Sequence, residues 1–136
     1  MFGSRLLIVC ALVVAATPAF AEEWEEVFSE KNSAESKMYF DRNVSPVGKD
    51  SVRTKYMMVE TSPRPINSKE ADSPSYDKAV YRVVIECTSK IWAFSHRTYY
   101  LDGAVQLDKA SNGMKVPPPP KGSGPFNISE KACALR

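Results

Sequence analysis

The three cysteines of this 136-residue chain place the tightest constraint on its fold. Cys87 and Cys133 are far apart in sequence, whereas Cys10 lies in an apolar N-terminal run that we expect to be removed. Two cysteines that remain in an oxidising compartment allow one disulfide connectivity. Closing a loop of about 46 residues stabilises a fold by roughly 4 kcal/mol in the chain-entropy model. The sequence therefore predicts a domain held together by a Cys87–Cys133 disulfide.

A redox-active or zinc-binding cysteine site is the alternative interpretation. Such sites place cysteines close together in sequence, as in Cys-X-X-Cys, or combine them with histidine ligands. Cys87 and Cys133 do neither, and His96 is the only histidine of the chain. We therefore expect neither a metal ion nor a cofactor.

Residues 1–21 have the organisation of a secretory signal peptide. Arg5 precedes the apolar run Leu6 to Ala16, and Ala19-Phe20-Ala21 places small residues three and one positions before a cleavage point. An apolar run of about 11 residues is shorter than the roughly 20 that a membrane-spanning helix needs, so a retained anchor is the less favoured alternative. We expect residues 22–136 to form a single domain, periplasmic or secreted, with no stable membrane anchor after cleavage.

The charge distribution argues against a polyanionic partner. Removing Arg5, the only charged residue before Glu22, lowers the formal net charge from +2 to about +1. The remaining basic residues are scattered singly and form no stripe of the kind that follows a phosphate backbone. We expect no nucleic-acid binding.

Alternation of apolar and polar residues predicts about six antiparallel strands in up-and-down order. Between the last two, Asp102-Gly103 is a two-residue hairpin signal. The predicted strands are Glu23 to Phe28, Lys37 to Arg42, Ser51 to Glu60, Lys78 to Cys87, Ile91 to Leu101 and Ala104 to Asp108.

Two proline-rich segments predict long loops, Thr61 to Asp77 and Lys109 to Pro125, because proline cannot donate to a strand ladder. The chain then ends in a predicted helix of about eight residues, with Asn127 as its N-cap and Glu130 three residues later. The expected fold is mostly β (α+β): an antiparallel sheet with a short C-terminal helix packed on it and tied to it by the disulfide.

The sequence supplies few parts for catalysis. It contains no nucleophile elbow, phosphate-binding loop or calcium loop. In a regular strand, His96 would share one face with Trp92, Phe94 and Tyr100 in an aromatic cluster, and no nucleophile motif accompanies it. We expect a protein that is not an enzyme, and we take these four residues as a candidate binding face.

Aromatic residues are more numerous than one face of such a sheet needs. A short helix would leave part of an apolar face uncovered, and such a face favours contact with another protein or with a second copy of the chain. The aromatic residues in question are Trp24, Tyr39, Phe40, Tyr56, Tyr76, Tyr81, Trp92, Phe94, Tyr99 and Tyr100.

The order of these features resembles the surface-adhesin protein E family, small exported domains of Gram-negative bacteria. The resemblance covers nearly all of residues 22–136, and the placement of the cysteines is its most specific part. The residues that carry it are Trp24-Glu25-Glu26-Val27, Met38-Tyr39-Phe40-Asp41, Val84-Ile85-Glu86-Cys87, the Tyr99 to Val105 hairpin and Ala132-Cys133.

The resemblance implies a bent antiparallel sheet with the C-terminal helix against it, and a role in binding host extracellular-matrix or serum proteins. It suggests a non-catalytic binding module that contacts a protein through an uncovered sheet face or the segment 61–77. Two alternatives remain: a self-associating structural or envelope-stress protein of the periplasm, and, less favoured, an enzyme of unknown type.

Overall fold

A computed structural model describes residues 22–27 and 36–136. The predicted signal peptide and Phe28, the last residue of the first predicted strand, lie outside the described residues. No helix within the described ranges is long and apolar enough to cross a membrane. The described elements are, in chain order, β1 (Trp24–Val27), β2 (Ser36–Asp41), β3 (Ser45–Val47), β4 (Ser51–Pro65), β5 (Ser75–Glu86), β6 (Trp92–Leu101), β7 (Ala104–Val116) and α1 (Gly124–Ala134).

The seven strands of the described ranges form one antiparallel sheet. Its order is β1-β2-β4-β5-β6-β7, and the short β3 pairs with the start of β4. The helix α1 follows at the C-terminus and lies against β1 and β4. The predicted mostly-β fold with a C-terminal helix is therefore confirmed.

Alternation along the central strands buries one face of the sheet beneath α1. Val52, Val83 and Ile85 have no exposed surface, as the period-2 pattern predicts. Ile128 and Ala132 of α1 are equally buried and belong to the same cluster of packed side chains. The core therefore lies between α1 and one end of the sheet, and the rest of that face is left without a helix over it.

The predicted disulfide is confirmed. Cys87 directly follows β5 and Cys133 is in the last turn of α1, with 5.8 Å between their Cα atoms. A buried hydrogen bond supports the same contact, because Trp92 Nε1 donates to Ser129 Oγ at 2.7 Å. The helix is thus held on the sheet by a covalent bond, apolar packing and a satisfied polar pair.

The predicted loop from Thr61 to Asp77 is wrong in its extent. β4 continues to Pro65 and β5 begins at Ser75, which leaves residues 66–74 as the connection. Among residues 22–27 and 36–136, β5 is the strand that pairs with β4 beyond Glu60. Proline is tolerated on an unpaired strand edge, because no ladder hydrogen bond is lost there.

The predicted end of the last strand at Asp108 is also wrong. β7 continues to Val116 and pairs with β6 along this length, so the predicted loop from Lys109 shortens to the segment after Val116. Gly113 has φ +69°, a left-handed conformation that bends the strand and that glycine adopts without steric cost. The four consecutive prolines begin directly after β7.

The helix begins earlier than the sequence predicts. Its N-cap is Ser123, whose Oγ accepts a hydrogen bond from the Phe126 backbone N–H at 3.2 Å. Pro125 lies in the first turn, where a missing N–H costs nothing. Asn127, the predicted N-cap, is inside the helix, and Glu130 instead forms an ion pair with Lys90 at 3.1 Å.

The segment between β2 and β4, for which no strand is predicted, contains the short strand β3. Ser45 lies opposite Arg53 and Val47 opposite Ser51 in antiparallel register. Asp41, the last residue of β2, accepts the backbone N–H of Asn43 at 3.0 Å, which fixes the path into β3. A segment rich in turn-forming residues therefore contains one additional strand, β3.

A bulge at Ser95 interrupts the alternation of β6. Val83 pairs with Phe94 while the preceding residue Arg82 pairs with His96, so Ser95 has no partner on β5. An extra residue moves every following side chain to the other face of the sheet. The prediction that His96 shares a face with Phe94 is therefore wrong.

Candidate functional site

The part of the core face that α1 does not cover forms a concave aromatic surface, which we call the aromatic cleft. It encloses about 270 Å³ and lies between the aromatic residues of β4, β5 and β6 and the exposed strand β7. The aromatic cleft consists of Tyr56, Tyr81, Phe94 and Tyr99, with Arg97 of β6 and with Ser111, Met114 and Val116 of β7, and His96 borders it.

The rings of the aromatic cleft contact each other closely. Tyr56 and Tyr81, which are cross-strand partners, stack with centroids 4.6 Å apart and an interplanar angle of 12°. Phe94 meets each of them edge-on, at 6.2 and 6.0 Å. Such pairs stabilise each other beyond their buried area, so the surface is preorganised rather than flexible.

Tyrosine hydroxyls give the aromatic cleft a neutral polar component. Burial raises the pKa of Tyr56 and Tyr81, with a further contribution at Tyr81 from a hydrogen bond with Tyr99. Burial also raises the pKa of Tyr76, whose ring meets that of Tyr99 at 4.9 Å. These phenols therefore stay protonated at neutral pH and offer hydrogen bonds without charge.

The edge strand β7 forms one wall of the aromatic cleft and is exposed. Met114, the cross-strand partner of Phe94, is 58% exposed. Leu107 lies opposite Tyr99 on the same face, and Val105 lies opposite Tyr100 on the other. Among the described strands none pairs with the outer side of β7, so its backbone groups there are accessible to a partner.

The four residues of the candidate binding face do not lie together. Trp92 is 2% exposed and belongs to the core beneath α1. Phe94 is half-buried in the aromatic cleft. Tyr100 lies on the opposite face, where Lys78 Nζ is 4.5 Å from its ring centroid. His96 borders the aromatic cleft at the bulge, but its ring is engaged elsewhere.

His96 is paired with a carboxylate on the surface opposite α1. Its Nε2 contacts Asp108 Oδ1, and Thr98 Oγ1 donates to the same oxygen at 2.8 Å. The Thr98 hydrogen bond, followed by that of His96, lowers the pKa of Asp108. This pair joins β6 to β7, which is a structural use of the histidine.

The described part of the chain contains no cluster of side chains suited to binding a metal ion. Residues 22–27 and 36–136 contain no group of three or more His, Cys, Asp or Glu side chains that could hold a metal ion. The two cysteines in this part are joined to each other.

Sequence reasoning missed most of the aromatic cleft, although part of the signal was present. Alternation places Tyr56 on the face of Val52 and Tyr81 on that of Val83, so both were predictable as core-facing residues. Tyr99 was not, because the bulge at Ser95 moves it onto this face.

Neither the protein-family models nor the curated proteins with which the chain was compared provided a match.

Proposed function

We propose that this chain is an exported, non-catalytic module that binds another protein through the aromatic cleft and the adjoining edge of β7. The observation that carries the proposal is an aromatic surface that α1 leaves open beside an unpaired strand. The resemblance to the surface-adhesin protein E family points in the same direction. Export is supported by the signal-peptide pattern and by the disulfide, which persists in oxidising compartments.

The aromatic cleft has the composition of an interface anchor site. Aromatic side chains dominate the energetics of protein interfaces when they line a preformed pocket. The rings of Tyr56, Tyr81 and Phe94 are already held by their mutual contacts, so binding costs little side-chain ordering. An apolar side chain of a partner would fill the cleft. The tyrosine hydroxyls would hydrogen-bond to polar groups of the partner beside that side chain.

The edge of β7 supplies a mode of attachment. An extended partner segment can add a strand to an open sheet edge, with backbone hydrogen bonds giving affinity and side-chain pockets giving specificity. Ser111, Met114 and Val116 belong both to β7 and to the lining of the aromatic cleft. A strand added to this edge would therefore place its side chains at the mouth of the cleft.

The segment 61–77 is a weaker candidate for partner contact. Much of it belongs to β4 and β5, and the connection is braced internally, because Asn67 N–H donates to Ser73 Oγ at 2.8 Å. Its residues border a cavity shared with β7, so a partner bound at β7 could touch it at the periphery.

Self-association is the second candidate, and exposed apolar side chains on β7 favour it. Val105 and Met114 are 57% and 58% exposed on an unpaired edge, which is a template for pairing with a second copy. Sedimentation across a wide concentration range distinguishes the two candidates, because only self-association makes the mass depend on concentration.

Two matched substitutions on β7 test the proposal. Met114→Glu places a charge beside the aromatic cleft, whereas Val105→Glu places the same charge at an equally exposed position on the other face. Both changes should alter stability by only about 0.5 kcal/mol, as exposed substitutions usually do. Crosslinking in intact cells followed by mass spectrometry should recover a protein partner with wild type and Val105→Glu and lose it with Met114→Glu. Equal recovery with both variants, or no partner with wild type, would refute the proposal.

A further inference from the structure

A second concave surface lies on the sheet face opposite α1, and we call it the basic cleft. It encloses about 270 Å³ and is bordered by residues of β3, β4 and β5 and of the segment before β3. Its lining side chains are almost all basic or hydrogen-bonding. The basic cleft consists of Asn43, Ser45, Arg53, Lys55 and Arg82, with Thr54 contributing to the lining.

Strand register brings like charges together in the basic cleft. Lys55 of β4 lies directly opposite Arg82 of β5. Arg53 precedes Lys55 by two residues and projects from the same face. Like charges directly opposite each other in a sheet repel and weaken the pairing. A bound anion would relieve this repulsion.

Two of the three cations form no ion pair within 4 Å among residues 22–27 and 36–136. Lys55 Nζ lies 2.5 Å from Glu22 Oε1 and 3.6 Å from Asp41 Oδ2. No described carboxylate forms an ion pair with the guanidinium of Arg53 or Arg82. Thr98 and His96 hydrogen-bond the carboxylate of Asp108, and the charge of Arg82 adds a smaller contribution to the lowering of the Asp108 pKa.

The uncharged residues of the basic cleft are held in position by buried Asp41. Its Oδ1 accepts the backbone N–H groups of Glu23 and Asn43, at 3.1 and 3.0 Å. This fixes the segment that carries Asn43 and leads to Ser45, which lies opposite Arg53 in the β3–β4 register. Ser45 is therefore placed beside Arg53 on the same face of the sheet.

Arg97 offers a control on the other face of the sheet. It lies opposite Lys109 of β7, so it also belongs to a like-charged cross-strand pair. Its partner on β5 is Tyr81, whereas Arg82 pairs with His96, so Arg97 projects from the face opposite the basic cleft. Arg97 is therefore a charge-matched control for Arg53 and Arg82.

We propose that the basic cleft binds a tetrahedral oxyanion, a phosphate or sulfate group. Guanidinium groups donate paired hydrogen bonds to such oxygens, and their charge strengthens those bonds. Arg53 and Arg82 bind the anion from neighbouring strands, and the Ser45 hydroxyl donates to one of its remaining oxygens. The site lies on the face opposite the aromatic cleft and does not depend on protein binding there.

Titrations followed by two-dimensional amide NMR test this proposal on protein purified from cells that express the whole chain. The probes are inorganic phosphate, inorganic sulfate and glucose 6-phosphate, each at constant ionic strength against chloride. Saturable shifts confined to the amides around Ser45, Lys55 and Arg82 are expected. Response to the inorganic ions identifies a free-ion site, whereas response to the sugar phosphate alone identifies a group carried by a larger ligand.

Substitutions decide whether the response belongs to the basic cleft. Arg53→Gln and Arg82→Gln should each weaken binding by about tenfold, the low end of the effect of losing a charge-assisted hydrogen bond. Arg97→Gln removes the same charge elsewhere and should leave the affinity unchanged. The absence of saturable shifts with all three probes, or an equal loss with Arg97→Gln, would overturn the proposal.

Discussion

Ser95 determines which aromatic side chains of β6 share a face. Without the bulge, Phe94, His96 and Tyr100 would alternate onto the same side, as the sequence predicts. With Ser95 unpaired, Tyr99 joins Phe94 in the aromatic cleft and Tyr100 faces away. Serine is ordinary in strands, so the residue type at position 95 does not indicate a bulge. This part of the site was therefore not predictable from one sequence.

At the same scale, the hydrogen bonds around Asp108 predict a pH effect. Its pKa is lowered in the folded state, relative to about 3.9 in an unfolded chain, first by Thr98 and then by His96. The stability that Asp108 contributes is therefore present above about pH 4 and is lost as the pH falls through the folded value. Because Asp108 is well exposed, solvent screening keeps that contribution small.

Carboxyl carbon NMR checks this directly. The titration midpoint of Asp108 should lie below that of an ordinary aspartate in wild type and should rise in Thr98→Val, which removes the hydroxyl and keeps the branched shape. An unchanged midpoint in the variant would show that the hydrogen bond does not control this carboxyl group.

At the scale of elements, strand interiors were predictable and strand ends were not. Alternation identified the buried residues of β4 and β5, such as Val52 and Ile85, because both strands are central and one face is covered. Pro65 and Gly113 predicted breaks, yet both lie within strands. Within the described ranges each lies at an edge of the sheet, where proline and a glycine bulge are tolerated. Edge position is a tertiary property that local sequence does not report.

The start of α1 gives a prediction at this scale. Ser123 Oγ accepts the Phe126 N–H, so Ser123→Ala should lower the free energy of unfolding by about 1 kcal/mol, a typical cost of losing an N-cap. Ser123→Thr keeps the oxygen and should retain most of that stability. Urea unfolding measures both variants. Equal stability of wild type and Ser123→Ala would contradict the assignment of this cap.

At the scale of the whole molecule, the disulfide and the helix act together. α1 contributes Ile128 and Ala132 to the core, yet an isolated helix of its length is marginal in water. The Cys87–Cys133 bond joins residues with a sequence separation of 46. It restricts the conformations of the unfolded chain, because the segment that forms α1 cannot move far from the end of β5. The cysteine pair was therefore the feature from which the global arrangement could be predicted most directly.

Removing the disulfide should be costly. Cys133→Ser, or reduction of wild type, should lower the free energy of unfolding by roughly 4 kcal/mol in the chain-entropy model. With a urea dependence of about 2 kcal/mol per molar, the unfolding midpoint falls by ~2 M. The double variant Cys87→Ser/Cys133→Ser controls for a free thiol. If oxidised and reduced proteins unfold at the same urea concentration, the disulfide does not stabilise the fold.

The same architecture leaves the aromatic cleft open, because α1 covers only one end of the sheet. Exposed Met114 on one face of β7 and exposed Val105 on the other make the direction of binding testable within a single strand.

Site-specific photocrosslinking in intact cells tests whether the protein binds a partner through the aromatic cleft. A photoreactive amino acid replaces Met114 in one strain and Val105 in another, and crosslinked products are identified by mass spectrometry after brief irradiation. We expect a discrete protein adduct from position 114 and none, or far less, from position 105. Equal adducts from both positions, or none from position 114, would contradict binding through the aromatic cleft.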